Sequence, residues 1–250
     1  QRPVQAEHRQ HGAQDLRGRR LEDRQRLHDV LHGGQPRLDG FEFKLYGTAE
    51  AALEAFAARQ VTSPGRLTPS NIDSRYLADD QLKISSFTLP EEAVLFFDNA
   101  DPVLADKRLR QALSRYLDRD KIAEAATKSY GQPLTQPLLP GQIGYTNKYQ
   151  YAPLDAAGAA AELASAGWGL PAGETVRYKD NKPLVLKLAT TSGGELEAAA
   201  KEIKEQLAGI GVSVELALVS RDDLQQSYIR PRSFQMLLYN INLGSDPDVY

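Results

Sequence analysis

From residue 38 onward two hydrophobic rhythms take turns along the chain. Residues 41–46 alternate apolar and polar side chains like a half-buried strand, and Thr48 then caps a helical stretch reaching about Arg59. Residues 62–80, rich in Ser, Pro, Asn and Asp, read as a loop with short turns. An apolar run at 93–97 predicts a short strand, ended by Asp98, Asn99 and the Asp101-Pro102 turn. The helical period returns over 106–117, with Leu109, Leu113, Tyr116 and Leu117 on one face, and a second helix follows over 119–128. Residues 131–151 carry three prolines and three glycines and predict an irregular surface segment.

The second half is more regular. An alanine-rich helix over 154–166 stops at Gly167, and a turn is expected around 179–182. A strand at 184–190, a helix at 195–208 and a strand at 212–219 then form a β-α-β unit, which requires at least part of the sheet to be parallel. A short helix at 222–229 and a strand at 234–241 repeat the alternation. The chain is therefore of the α/β class, without a repeat at solenoid periods.

Composition narrows the classes. In 250 residues, 41% hydrophobic and 25% charged side chains suffice for a buried core, so wholesale disorder is excluded. No run approaches the roughly 18 apolar residues of a membrane helix. A net charge of −3 argues against nucleic-acid binding through bulk positive potential. The absence of cysteine removes disulfides, thiol nucleophiles and thiolate metal sites.

Residues 1 to about 36 differ in texture. Through Gly40 there is no aromatic residue, no Ile and no Lys, yet all four histidines lie here among a run of arginines. The segment is expected to be poorly ordered, or a frayed polar helix at best. A sharper expectation is a gene read out of frame before about Gly33, which continuous parent DNA would refute. With Gln1 at its start and Met236 its single methionine, the chain reads as an internal piece of a longer product.

Candidate chemistry is sparse. His8 and His11, and His28 and His32, have spacings that can put two imidazoles on one helix face, but no carboxylate or thiolate framework accompanies them, so a metal site is not expected. The arginine run is interrupted by Gln, Asp and Glu and has no aromatic partner for base stacking. No phosphate-binding loop, nucleophile elbow or zinc-protease motif occurs, and beyond Gly40 there is neither His nor Cys, so no enzyme is expected. Thr190 to Gly194 (T-T-S-G-G) joins a strand to a helix and could seat an anion, but plain capping by Ser192 or Thr191 is the preferred reading. Asp246 and Asp248 lie just past the carboxyl end of the last strand, where open α/β sheets place ligands; on composition alone they read as a solvated Asp-Pro turn.

Ordered motifs change those odds. Leu95-Phe96-Phe97-Asp98-Asn99, the Asp101-Pro102 turn, and the helix pair from Lys107-Arg108-Leu109-Arg110-Gln111-Ala112-Leu113 to Asp118-Arg119-Asp120-Lys121-Ile122 resemble the signature of family 5 bacterial extracellular solute-binding proteins. Further matches are Gly131-Gln132-Pro133, Ala166-Gly167-Trp168, Leu207-Ala208-Gly209-Ile210-Gly211-Val212 and Gly244-Ser245-Asp246-Pro247-Asp248. Upstream, Gly33-Gly34-Gln35-Pro36-Arg37-Leu38-Asp39 extends the resemblance, which covers about Gly33 to Tyr250.

The resemblance implies a periplasmic-binding-protein type II clamshell, present as a fragment with most of the second lobe and part of the first. Its implied division is 1–32 unmatched, 33–93 the end of the first lobe's amino-terminal part, 94–99 a hinge strand and 100–250 the second lobe, incomplete at its carboxyl end. The implied function is substrate capture for an ABC importer, with oligopeptides enclosed in the cleft and delivered to a membrane permease. Asp246 would meet the peptide amino terminus, and main-chain groups near Asn242 and Gly244 would pair with the peptide backbone. Arg110, Ala112 and Leu113 would be packing residues. Neither cofactor nor metal is implied, and the location would be extracytoplasmic, in the periplasm or anchored to the outer face of the cell membrane, as a monomer. The rivals are a nickel chelate or oligosaccharide as cargo, or service as the sensor domain of a transcription regulator.

Overall fold

A computed structural model of the chain describes residues 40, 42–65, 89–128, 130–139, 142–146, 148 and 152–243. The four histidines, most of the loop expected at 62–80, and Gly244 and Asp246 lie outside the described residues. The chain divides into two compact units, Gln1–Pro64 and Gly65–Tyr250.

In the first unit, helix α1 (Ala49–Ala57) begins where expected, with the Thr48 hydroxyl accepting from the Ala51 N–H. Residues 42–46, expected to extend the strand begun at residue 41, carry no regular structure. A strand persists only when a neighbour completes its main-chain hydrogen bonds, and among the described residues this unit offers none. Lys44 instead donates to the Gln60 carbonyl at 3.1 Å.

The second unit is built on a four-stranded sheet in the order β1-β6-β4-β5. Strand β1 (Glu91–Phe97) is antiparallel to β6 (Met236–Asn242) over seven pairs, from Glu91↔Asn242 to Phe97↔Met236. Strand β4 (Val185–Thr191) is parallel to β5 (Ser213–Val219) over seven pairs, as the β-α-β pattern requires. A small hairpin joins β2 (Tyr178–Lys179) to β3 (Lys182–Pro183). Its two turn residues, Asp180 and Asn181, both have positive φ, 51° and 60°, which is the twist a two-residue hairpin demands.

Four helices line the first face of the sheet or its margin: α2 (Lys107–Tyr116), α3 (Arg119–Thr127), α4 (Ala156–Ser165) and α5 (Gly194–Ala208). Asp106, Asp118 and Asp155 cap the first three through their carboxylates. Leu109, Leu113, Leu163, Leu188, Leu207 and Met236 form part of the main core, and each is fully buried. The single tryptophan, Trp168, belongs to the same cluster. The second face carries a smaller cluster, Ala189, Leu224 and Leu237, under the short helix α6 (Arg221–Asp223) and the π-helical turn Leu224–Ile229 that continues it.

Two polar devices lock this unit. Asp101 Oδ1 accepts from the main-chain N–H groups of Val103 and Leu104, while Oδ2 accepts from Gln235 Nε2, whose Oε1 accepts from the Lys187 N–H. The Asp-Pro turn after β1 is thereby tied to the starts of β6 and β4. The buried Arg177 donates from Nε to the Ile210 carbonyl at 2.7 Å and from Nη1 to the Trp168 carbonyl at 3.0 Å. Beside it Gly211 has φ +81°, and a Cβ there would stand 2.9 Å from Arg177 Cγ.

Candidate functional site

Parallel strands β4, β5 and β6 end on one edge of the sheet, and antiparallel β1 begins there. Such an edge collects ligands because crossovers leave it in different directions and the strands part. Here the parting is visible in the register. The β4–β6 ladder is two pairs long, Leu188↔Met236 and Ala189↔Leu237. Beyond it β4 turns toward β5, where the Ser192 N–H donates to the Val219 carbonyl, while β6 runs on to Asn242 paired with β1. The buried Thr190 hydroxyl donates to the Leu238 carbonyl at 2.9 Å, bridging the first step of the divergence.

Alternation along an antiparallel strand decides what the notch presents. The Leu243 N–H donates to the Pro90 carbonyl, on the β1 side. Asn240 and Asn242, of opposite parity, therefore turn their main-chain groups toward the side on which the β4 ladder has ended. On the first face Ala93 and Asn242 are exposed, and Asn242 Nδ2 approaches Glu91 Oε1 at 3.4 Å. Of the three expected site residues, Asn242 is thus the last residue of β6, on the notch side; Gly244 and Asp246 follow it outside the described residues.

The Thr190 to Gly194 turn is not capped as expected. Gly193, at φ 79°, occupies the cap position, and neither Ser192 nor Thr191 caps the helix with a side-chain hydrogen bond. The Glu197 carboxylate accepts from the Gly193 N–H and pairs with Lys201 Nζ at 2.6 Å. The Lys201 bond, and after it the Gly193 bond, holds Glu197 below the usual carboxylate range. A helix start filled by its own carboxylate offers no seat for an external anion.

Glu92, the second residue of β1, was not singled out by sequence reasoning. Only 6% of it is exposed, and burial alone raises its carboxyl above the usual range. It lies opposite Ile241 on the second face, one residue from the Glu91–Asn242 pair. Elsewhere on that face a groove of about 520 Å3 is lined by Lys187, Glu215, Tyr228, Arg232, Phe234 and Gln235, none of them an expected site residue. Among the described residues, no group of three or more metal-ligating side chains converges, and no helix is long and apolar enough to cross a membrane.

Comparison with known proteins agrees with this architecture. The oligopeptide-binding protein AppA of Bacillus subtilis is 26% identical over 229 residues, which cover 89% of this chain and 41% of that protein. The oligopeptide-binding protein OppA of Mycobacterium bovis is 28% identical over 215 residues, 82% of this chain and 35% of its own length. The chain thus spans about two fifths of the length of these relatives.

Among solved structures, AppA in complex with a nonapeptide superposes with a TM-score of 0.67 at 25% identity, covering 87% of this chain and 44% of that one. NikZ from Campylobacter jejuni, in complex with Ni(L-His), shares the fold at a TM-score of 0.65 and 18% identity, over 80% of this chain and 39% of that one. The fold is the α/β type II periplasmic-binding-protein fold. The family model "Bacterial extracellular solute-binding proteins, family 5 Middle" matches residues 21–250, starting upstream of the Gly33 at which the motif resemblance begins. On that match the chain belongs to the family 5 bacterial extracellular solute-binding proteins.

Proposed function

We propose that this chain is part of the substrate-binding subunit of an ABC importer that captures oligopeptides outside the cytoplasm, without catalysis, and hands them to a membrane permease. The observation that carries this reading is the divergence of β4 from β6 beyond Ala189↔Leu237, which turns the main-chain groups of Asn240 and Asn242 to the side away from β1 at the carboxyl ends of the parallel strands. An extended peptide satisfies such an edge with its own main chain whatever its side chains, which suits broad capture. The family relationship and the two oligopeptide-binding relatives support the same cargo.

In this reading the sheet unit is most of the second lobe of a clamshell, β1 enters it as a hinge strand, and residues 33–93 close the amino-terminal part of the first lobe. Asp246 pairs with the peptide α-amine through a charge-assisted hydrogen bond, and Asn242 and Gly244 contribute main-chain groups. Ligand contacts to both lobes then shift the balance toward the closed state. The subunit acts as a monomer, in the periplasm or anchored to the outer face of the cell membrane.

Native mass spectrometry of the complete parent protein, purified from its host without denaturation, tests the proposal. A ladder of co-purified peptide masses is the expected result. A single non-peptide mass, such as a nickel chelate or an oligosaccharide, would replace the cargo while keeping the receptor.

A further inference from the structure

Strand β5 is an edge of the sheet, and among the described residues no strand pairs with its outer side. Two bonds fix which way its main chain points: the Ser213 N–H donates to the Leu184 carbonyl, and the Val219 carbonyl accepts from the Ser192 N–H. Residues of that parity face β4, so Val214, Leu216 and Leu218 turn their N–H and C=O groups outward. Natural sheets protect such an edge with lysine, proline, a bulge or a very short strand. Strand β5 uses none of these. It keeps register with β4 over seven pairs, and Glu215 is its one charged residue.

The residue order of this strand, Ser-Val-Glu-Leu-Ala-Leu-Val, is self-complementary about its centre. Laid antiparallel against a second copy with Leu216 on a two-fold axis, Val214 meets the second copy's Leu218, and Leu216 meets its own equivalent. All of these are outward-facing positions, so they form hydrogen-bonded pairs. On this face Val214 belongs to the main core and Leu216 packs against it, so two apolar faces continue across the ladder. On the other face Glu215 stands opposite the second copy's Ala217. An axis at Glu215 would instead set two like charges directly opposite each other, which is unfavourable. Ala217 lines the second-face groove together with Arg232, while Lys187 is the register neighbour of Glu215 in its own copy. The carboxylate arriving from the second copy therefore finds a cation in that groove.

We propose that two copies of this chain associate through the outer edges of β5, antiparallel about a two-fold axis at Leu216, so that their sheets run on as one. Such an interface is isologous and closes at two copies. It goes beyond the reading above and leaves it standing. Strand β5 lies at the opposite edge of the sheet from β1, so the hinge strand of that reading stays outermost and each copy captures its ligand by itself. An interface built on one strand pair is of the weak class, so the monomer prevails on dilution and the pair forms where the protein is concentrated.

The test uses the complete protein, with any cysteine outside this chain changed to serine, since the chain itself has none. In sedimentation equilibrium the mass should climb from monomer toward dimer as concentration rises, and go no higher. Leu216→Cys should give a disulfide-linked dimer on mild oxidation, because the two Cα atoms stand about 5.5 Å apart in a hydrogen-bonded pair. Ser213→Cys should not, because its two sites lie about 20 Å apart along the ladder. Leu218→Lys places a lysine on the edge and should hold the protein monomeric at the same concentrations, with thermal melting reporting that it folds. A monomer mass at every concentration overturns the proposal, as does growth past the dimer. Cross-linking of Ser213→Cys as readily as Leu216→Cys overturns it too, and so does a dimer that a folded Leu218→Lys variant leaves intact. Should Leu218→Lys fail to fold, the two cysteine variants decide alone.

Discussion

Replacing Asp101 with alanine tests whether the Asp-Pro turn is a structural clasp. The carboxylate makes three hydrogen bonds: to the N–H groups of Val103 (2.9 Å) and Leu104 (3.0 Å), and to Gln235 Nε2 (3.0 Å). The first two resemble a helix cap, whose loss costs about 1 kcal/mol and up to about 2. The third joins segments 134 residues apart and contributes about 1 kcal/mol net for a half-buried pair. Asp101→Ala should therefore destabilise the chain by about 2–3 kcal/mol, a fall in melting temperature of roughly 5–10 °C for a unit of this size.

Trp168 makes the assay direct, because the only tryptophan is 5% exposed in the main core and its fluorescence reports the unfolding of that core. Urea unfolding of parent, Asp101→Ala, Gln235→Ala and the double variant closes a thermodynamic cycle, in which a coupling of about 1 kcal/mol is expected. Asp101→Asn is a sharper probe. One oxygen can still accept from Val103 and Leu104, but the new amide N–H2 would face Gln235 Nε2, donor against donor, while Gln235 Oε1 remains committed to Lys187. The asparagine should therefore retain the cap and forfeit the cross-link. A loss below about 0.5 kcal/mol for Asp101→Ala, within the range of an ordinary surface substitution, would refute the clasp.

Three other outcomes can be measured, two from the geometry above and one from the proposed peptide reading. Gly211→Ala should cost about 2 kcal/mol, since the residue sits at φ +81° and the new Cβ would crowd Arg177 Cγ at 2.9 Å; an unchanged urea midpoint would contradict it. Glu197, held below its ordinary range by Lys201 and the Gly193 N–H, contributes stability that is present above the unfolded-state glutamate pKa and lost as pH falls through the lowered folded value. The stability gap between parent and Glu197→Gln should accordingly narrow between pH 7 and pH 3, and a constant gap would count against the pairing. In the complete protein, Asp246→Asn should weaken a peptide with a free amino terminus by about 1–3 kcal/mol and leave its acetylated counterpart nearly unaffected; calorimetry showing equal losses for both would remove Asp246 from the α-amine site.

The parallel core was legible because its signals are local. The alternation of 185–191, the amphipathic stretch of 194–208 and the run 213–219 each declare their own period, and right-handed crossover then leaves little freedom. The antiparallel marriage of β1 to β6 was not legible, since Glu91 and Asn242 lie 151 positions apart and no turn residue advertises their pairing. The same separation hid the notch, which exists only because β6 follows β1 where β4 does not.

Residues 42–46 show the opposite failure: a strand rhythm is present, but in that unit no described neighbour can turn rhythm into ladder. At Gly193 the misreading was one of reach. A glutamate in the first turn can satisfy an orphan N–H as well as a serine at the cap, so T-T-S-G-G is a closed turn and not an anion seat. Glu92 is the most instructive case, because in sequence it is one of two adjacent glutamates on a strand that has apolar residues on both faces. Only the register separates them, sending Glu91 to the open face beside Asn242 and Glu92 into the buried one. Burial, and not residue type, is therefore what separates the second acid from the first, and burial is a property of the pairing that the chain does not state locally.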